Sequence, residues 1–283
     1  MVTPAAMVVI PTHDHASTLG LAVESALAQT VVDLDVVVIG DGAGDPTRAV
    51  MAEMCGRDRR VRFVDRPKGE SRNEVARHEV VSAATAPVVT YLGDDDLLLP
   101  HHVETMIALL AEHDFAHPFP VLIDASGGLV ALPTDLTDAR CVAWHLQPRQ
   151  NTISLTGAAH TAALYRRLPW GWRPAPHGRW SDHYMWEQIL TLEGVRPITA
   201  RRSTTIKPPN KIRAHMSTDA RRVEMSAWAS RMREPGFVAW WDARVADAVR
   251  RAAVDAYREK TELAAALAAL DTQSTPGGAD SET

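Results

Sequence analysis

The chain has 283 residues and a net charge of −5, with 46% apolar and 23% charged residues. These are the proportions of an ordinary globular protein with room for one large domain or two small ones, and they exclude a fibrous or largely disordered chain. No run approaches the roughly 18 apolar residues of a membrane span, and Met1-Val2-Thr3-Pro4 lacks the basic start of a secretory leader. Cys55 and Cys141 stand far apart and outside any metal-ligand spacing, which suits a reducing compartment. A cytoplasmic protein is expected on these grounds. The charge is uneven: residues 201–260 hold 14 Lys and Arg against 7 Asp and Glu, a local +7 that leaves −12 elsewhere. Such a basic region is either a solvated helix face or a contact for an anionic membrane surface or phosphate-rich ligand.

In chain order, Met7 to Ile10 reads as a short apolar strand stopped by Pro11-Thr12-His13-Asp14, and Ser17 to Thr30 has helical spacing. Leu34 to Ile39 is a second buried strand, ending in Gly40-Asp41-Gly42-Ala43-Gly44, with a helix following to about Cys55. Val61 to Val64 is the third strand and Glu70 to Ala84 the third helix. Val88 to Leu92 is the fourth strand, ending in Asp94-Asp95-Asp96, with a helix from Pro100 to Glu112. Beyond residue 115 the regularity fades. A hairpin pairs Val121–Ile123 with Leu129–Ala131, Thr156 to Arg166 suggests a short helix, and Leu168 to Trp180 is a loop rich in Trp, Pro and Gly. A helix from Ser181 to Leu192, short extended pieces over 195–216, and helices over 217–232 and 237–268 complete the pattern. The polar tail from about 271 reads as disordered.

Four strand–helix repeats with continuously apolar strands indicate a parallel sheet covered on both faces. Such sheets bind ligands outside the carboxyl ends of their strands. Thr12, His13, Asp14, Asp41 and Asp94 to Asp96 should therefore line one crevice. Three adjacent carboxylates repel one another, and a divalent cation with an anionic ligand would make use of them. Taken alone, the triplet reads more readily as a solvated acidic loop. The glycines at 40, 42 and 44 fail the dinucleotide fingerprint, because Asp45 stands where its third glycine belongs. His15, His101 and His102 lack zinc-helix spacing and read as surface residues.

Val9 to Asp14, Ser25 to Thr30, Val38 to Gly42, Ala76-Arg77-His78 and Tyr91 to Pro100, in that order and spacing, resemble family 2 glycosyltransferases. The likeness is strong over 7–112 and looser over 150–217. It implies an α/β, GT-A type fold: a mostly parallel, Rossmann-like central sheet flanked by helices, here with a helical C-terminal extension. The expected divisions are a nucleotide-sugar-binding half at 1–112, an acceptor half with the catalytic base at 113–216, the extension at 217–270 and the tail at 271–283.

The resemblance also implies roles. His13 would stack on the nucleotide base in a pocket shaped by Pro11 and Thr12, and Asp41 would hydrogen-bond the base. Arg77 would approach the donor phosphates, Asp94 the ribose, and Asp95 the metal, Mn2+ or Mg2+, of an Asp-x-Asp type motif. Trp180 to Trp186 resembles the segment carrying the family's base, which assigns catalysis to Asp182. Residues 213–217 resemble a late motif whose histidine, His215 here, completes the metal shell. From their residue type alone, Trp170, Trp172 and Trp180 either offer faces for acceptor sugars or pack the underside of their loop. Gly40 and Gly93 depart from the pattern, standing where the family has aspartates.

The expected activity is metal-dependent, inverting transfer from a nucleoside-diphosphate sugar, a UDP-sugar first, to an acceptor hydroxyl. The alternatives are a sugar nucleotidyltransferase and a non-catalytic nucleotide-sugar-binding module. Partners are the donor and an acceptor of unassigned type, without nucleic acid. The C-terminal helices dimerise, touch the inner face of a membrane, or simply close the domain.

Overall fold

The computed structural model describes residues 3–209 and 211–273. It opens with β1 (Ala6–Thr12), α1 (Ala16–Leu27), β2 (Leu34–Asp41), α2 (Asp45–Arg57), β3 (Val61–Arg66), α3 (Glu74–Ser82) and β4 (Val88–Tyr91). Then follow β5 (Leu97–Leu98), α4 (His102–Leu110), β6 (Phe115–His117), β7 (Val121–Ile123), β8 (Leu129–Ala131) and α5 (Ala139–His145). The remainder is β9 (Ala159–Thr161), α6 (Ala162–Arg167), α7 (Ser181–Leu190), β10 (Pro197–Thr199), β11 (Thr205–Ile206), α8 (Thr218–Met232) and α9 (Phe237–Gln273). The expected tail beyond 273 lies outside the described residues.

Seven strands form one sheet in the order β10-β6-β9-β4-β1-β2-β3. β1, β2, β3 and β4 pair in parallel, and β9 alone runs against its neighbours β4 and β6. This is the mostly parallel α/β sheet the strand–helix repeats imply. Side chains alternate across it. Val8, Ile10, Val36 and Val38 pack with Leu19, Val23, Met51 and Met106 on one face, while Met7, Val9, Val37 and Ile39 pack with Val80, Leu164 and Trp186 on the other.

The differences from the sequence reading fall where local signals are weak. The helix expected over Thr156–Arg166 is half strand, because Ala159 to Thr161 slots between β4 and β6 and is completed by their hydrogen bonds. β5 and β6 were not anticipated, since each is a short strand completed by distant partners, and neither was the short helix α5. α3 begins at Glu74 rather than Glu70, because Ser71 and Asn73 take left-handed backbone (φ 56° and 52°) and Asn73 caps the helix. The first turns of α9 bury Phe237, Trp241, Val245 and Ala248 against β5 and the β7–β8 hairpin, so this part closes the domain. Among the described residues, no helix is long and apolar enough to cross a membrane.

His102, expected at the surface, is fully buried. Thr90 Oγ1 donates to the Ala158 carbonyl, so it accepts from His102 Nε2, and Thr204 Oγ1 then donates to Nδ1 at 2.8 Å. That network holds the imidazole neutral. Burial pushes His102 and His117 down to about 3 and His160 to about 4, from an ordinary 6.5. The unfolded chain therefore takes up protons first as pH falls. The stability these groups permit is complete above about pH 6.5 and drains away toward pH 4, by about 1.4 kcal/mol per pH unit for each. Urea midpoints should fall steeply between pH 6.5 and 4.5, and His102→Gln should flatten that slope by about one proton. An unchanged slope would show that His102 is not one of the groups responsible.

Candidate functional site

The parallel register brings the ends of β1, β2 and β4 to one edge of the sheet. There Pro11, Thr12, His13, Asp41, Arg77, Asp94, Asp95 and Asp182 all line a single crevice of about 380 Å³. His13 Nδ1 donates to the Asp41 carbonyl at 2.6 Å. The Asp41 carboxylate accepts from the Gly69 N–H at 2.8 Å and from Lys68 Nζ, so the loop after β3 folds over the end of β2.

Arg77 is buried on α3 with its guanidinium 4.3 Å above the ring of Trp172. Burial lowers its pKa, opposed by Glu74, Tyr91 and Asp182, and its Nε has no partner among the described residues. A buried donor without a partner is suited to an incoming anion. Trp172 takes the second of its two expected roles, packing, and not the acceptor-facing one. It is 2% exposed, donates from Nε1 to the Tyr91 hydroxyl at 2.8 Å, and packs edge-on to Trp186. It supports the crevice from beneath and offers no face to an acceptor. Trp170 and Trp180 are 39% and 49% exposed and share a neighbouring cavity, with Trp170 covered on one side by Arg173.

In the acidic turn, each carboxylate has its own cation. His15 Nδ1 lies 2.9 Å from Asp94, Arg221 Nη2 lies 3.0 Å from Asp95, and Lys207 Nζ lies 4.0 Å from Asp96. These come from the start of α1, from α8 and from the segment after β11, and together they offset the repulsion that makes the triplet unusual. His15 is pushed up to about 9, chiefly by its hydrogen bond to Asp94. Burial drives Asp96 up to about 7, against the pull of Lys207 and of the hydrogen bond from Thr156. Thr156 Oγ1 accepts from the Gly93 N–H at 3.0 Å and donates to Asp96 at 2.5 Å.

Gly93 has a local reason: a Cβ there would stand 3.0 Å from Asp96 and 3.1 Å from Thr156 Oγ1. Gly40 has another, since a Cβ would sit 2.8 Å from the Phe63 ring. Close packing thus accounts for both departures from the aspartates of the resembling sequences.

Among the described residues, His15, Asp94 and Asp95 bring one ligand atom each within 4.8 Å of one another. The two carboxylates are oxygen donors of the kind Mg2+ and Mn2+ take, and the His15 imidazole would add a nitrogen ligand that suits Mn2+ better than Mg2+, leaving coordination positions open. His215 is exposed and outside this group. Its turn points Arg213 inward, onto Glu224 and the Ile123 carbonyl, which leaves His215 on the outer side. Asp182 sits in the first turn of α7, where Oδ1 accepts from the His183 N–H at 2.8 Å.

His15, Lys68, Thr156, Lys207 and Arg221 were missed from the sequence. His15 was legible in principle, because it directly precedes the helix that follows the first strand's carboxyl end. The others lie in no motif.

The family model described as "Glycosyl transferase family 2" matches residues 7–169. The chondroitin synthase of Pasteurella multocida (strain Pm70) is 37% identical over 101 residues, 36% of this chain and 10% of that protein. A Campylobacter jejuni GalNAc(5)-diNAcBac-PP-undecaprenol beta-1,3-glucosyltransferase is 28% identical over 127 residues, 44% of this chain and 41% of that protein. The chain thus spans well under half the length of these curated relatives. Among solved structures, S. aureus TarS 1-349 in complex with UDP-GlcNAc aligns with TM-score 0.52 and 13% identity over 87% of this chain and 72% of that one. The mannosyltransferase PcManGT of Pyrobaculum calidifontis, in complex with GDP-Man and Mn2+, aligns with TM-score 0.52 and 18% identity over 94% and 81%. At these identities the likeness establishes the fold, and it is the GT-A type expected.

Because burial raises Asp96 from 3.8 to about 7, the folded chain holds a proton between those values that the unfolded chain has lost. The resulting stabilisation is complete below about pH 4 and lost as pH rises through 7, on the order of 1.4 kcal/mol per unit of separation. Asp96→Asn should therefore gain on the wild type as pH rises from 4.5 to 8.5, read as the difference between their urea midpoints. A difference independent of pH would mean that Asp96 is not held protonated.

Proposed function

This chain belongs to glycosyl transferase family 2, and from that premise we propose that it moves a sugar from a UDP-sugar to an acceptor hydroxyl, with inversion and with the help of a divalent cation. The observation that carries the reading is the convergence of Asp41, Arg77 and the acidic turn, from three separate strand–helix units, on one crevice that also contains Asp182. The choice of UDP is supported by a structural neighbour solved with UDP and with UDP-GlcNAc, although another holds GDP-Man.

In this reading His13 stacks on the base between Pro11 and Thr12, and Asp41 hydrogen-bonds it. Lys68 holds Asp41 in place. Arg77, fixed over Trp172, binds the diphosphate through the donor that lacks a protein partner. His15, Asp94 and Asp95 would hold the cation, which supplies Lewis-acid neutralisation of charge on the departing diphosphate. For that, His15 gives up its proton and Arg221 leaves Asp95. The bond from the anomeric carbon to the diphosphate oxygen breaks as the acceptor oxygen bonds to that carbon. The acceptor's proton passes to Asp182, whose Oδ1 accepts from the His183 N–H and whose Oδ2 takes no hydrogen bond among the described residues. Attack opposite the leaving group inverts the anomeric configuration.

Asp182→Asn should still bind UDP and should lose transfer by 10²-fold or more, a size typical of general-base removal. Transfer at the wild-type rate would exclude Asp182 as the base. Arg221→Ala should tighten Mn2+ binding in the absence of donor, measured by paramagnetic resonance, whereas Asp95→Ala should abolish it. Equal Mn2+ affinity in all three proteins would remove Asp95 from the metal role.

A further inference from the structure

A second cavity, of about 510 Å³, adjoins the crevice and shares Arg72, Asp182 and Lys207 with it. Its lining includes the exposed ring of Trp180 and four cations, Arg72, Arg179, Lys207 and Lys211, against a single carboxylate, Asp182. Two of the cations have partners: Arg179 pairs with Glu187, and Lys207 reaches Ser154 and Asp96. The side chains of Arg72 and Lys211 form no ion pair or hydrogen bond among the described residues.

A diphosphate in the crevice could meet Arg72 and Lys207, which line both cavities, but not Arg179 and Lys211, which line the second cavity and not the first. Solvated cations on a convex surface need no ligand. Cations converging on a concave site concentrate positive potential there and raise the local concentration of anions. Arginine and lysine beside one another also match phosphate and carboxylate oxygens with charge-assisted hydrogen bonds.

We propose that this second cavity receives an acceptor carrying an anionic group, a phosphate or a carboxylate. Its sugar ring lies against Trp180, and its hydroxyl points to Asp182. Arg179 and Lys211 hold the anion, while Arg72 and Lys207 bridge acceptor and donor sites. The proposal rests on the glycosyl-transfer reading of Asp182, and it adds the acceptor's chemical class.

The test uses the full chain saturated with UDP, which fills the donor crevice and keeps other anions out of it. Glucose 6-phosphate, glucuronic acid and glucose are then compared by saturation-transfer resonance at equal concentration. The charged sugars should bind, glucose should bind at least fivefold more weakly, and the better of the two charged probes identifies the acceptor's anion. Lys211→Glu, at an exposed position where folding is not at risk, should weaken the charged probes at least fivefold while UDP binding stays within twofold. Glucose binding as tightly as the charged sugars, or charged-sugar binding that ignores Lys211→Glu, would overturn the proposal. If the wild type does not bind UDP, the donor reading falls instead, and the acceptor assignment falls with it.

Discussion

The geometry of the site depends on one hydroxyl. Thr156 Oγ1 takes the Gly93 N–H and gives its proton to Asp96, fastening both ends of the acidic turn to the segment that leads into β9. That segment is itself constrained. Gly157 has φ +87°, and a Cβ there would stand 2.7 Å from Thr205 and 2.8 Å from Pro118. Its N–H bonds the Tyr91 carbonyl, so the antiparallel strand and the acidic turn are set by the same few contacts. A hydrogen bond to the neutral carboxyl contributes about 0.5–1.5 kcal/mol, about 1.5–3 once it is ionised, and leaving the buried group unsatisfied costs about 1–3 kcal/mol.

The second constraint is electrostatic. Three neighbouring carboxylates, two of them buried, remain in place because three cations arrive from separate parts of the chain. Two of those partners are tied to other tasks. His15 opens α1, and Arg221 belongs to the C-terminal helical extension. The extension is therefore joined to the site by an ion pair, while Trp241 and Val245 pack it against β5 and the β7–β8 hairpin.

The aromatic layer beneath the crevice links the two halves of the domain. Tyr91, at the end of β4, accepts from Trp172 and bonds His160 of β9, and its ring lies 5.9 Å from that of Trp186 on α7. Trp172 in turn carries Arg77. The helix with Asp182 in its first turn and the Arg77 guanidinium thus rest on the same rings. Tyr91 was visible in the sequence as part of an apolar strand and the start of the Tyr91–Pro100 motif, but nothing there pointed to its aromatic partners.

The sequence by itself determined the first four strand–helix units, the edge of the sheet at which the candidate site residues meet, and the carboxylates gathered there. Those follow from apolar periodicity and from the rule that parallel strands bring their carboxyl ends to one side, both of which are local or topological. Tertiary structure alone decided that Thr156 clamps the turn, that Arg221 rather than His215 meets Asp95, that Trp172 faces inward, and that Ala159 to Thr161 is a strand. Each of these depends on which distant residue completes a hydrogen bond or an ion pair across 60 or more positions of chain. Periodicity carries no information about such partners, because a hydroxyl, an arginine or a tryptophan looks the same in sequence whichever way the packed chain turns it.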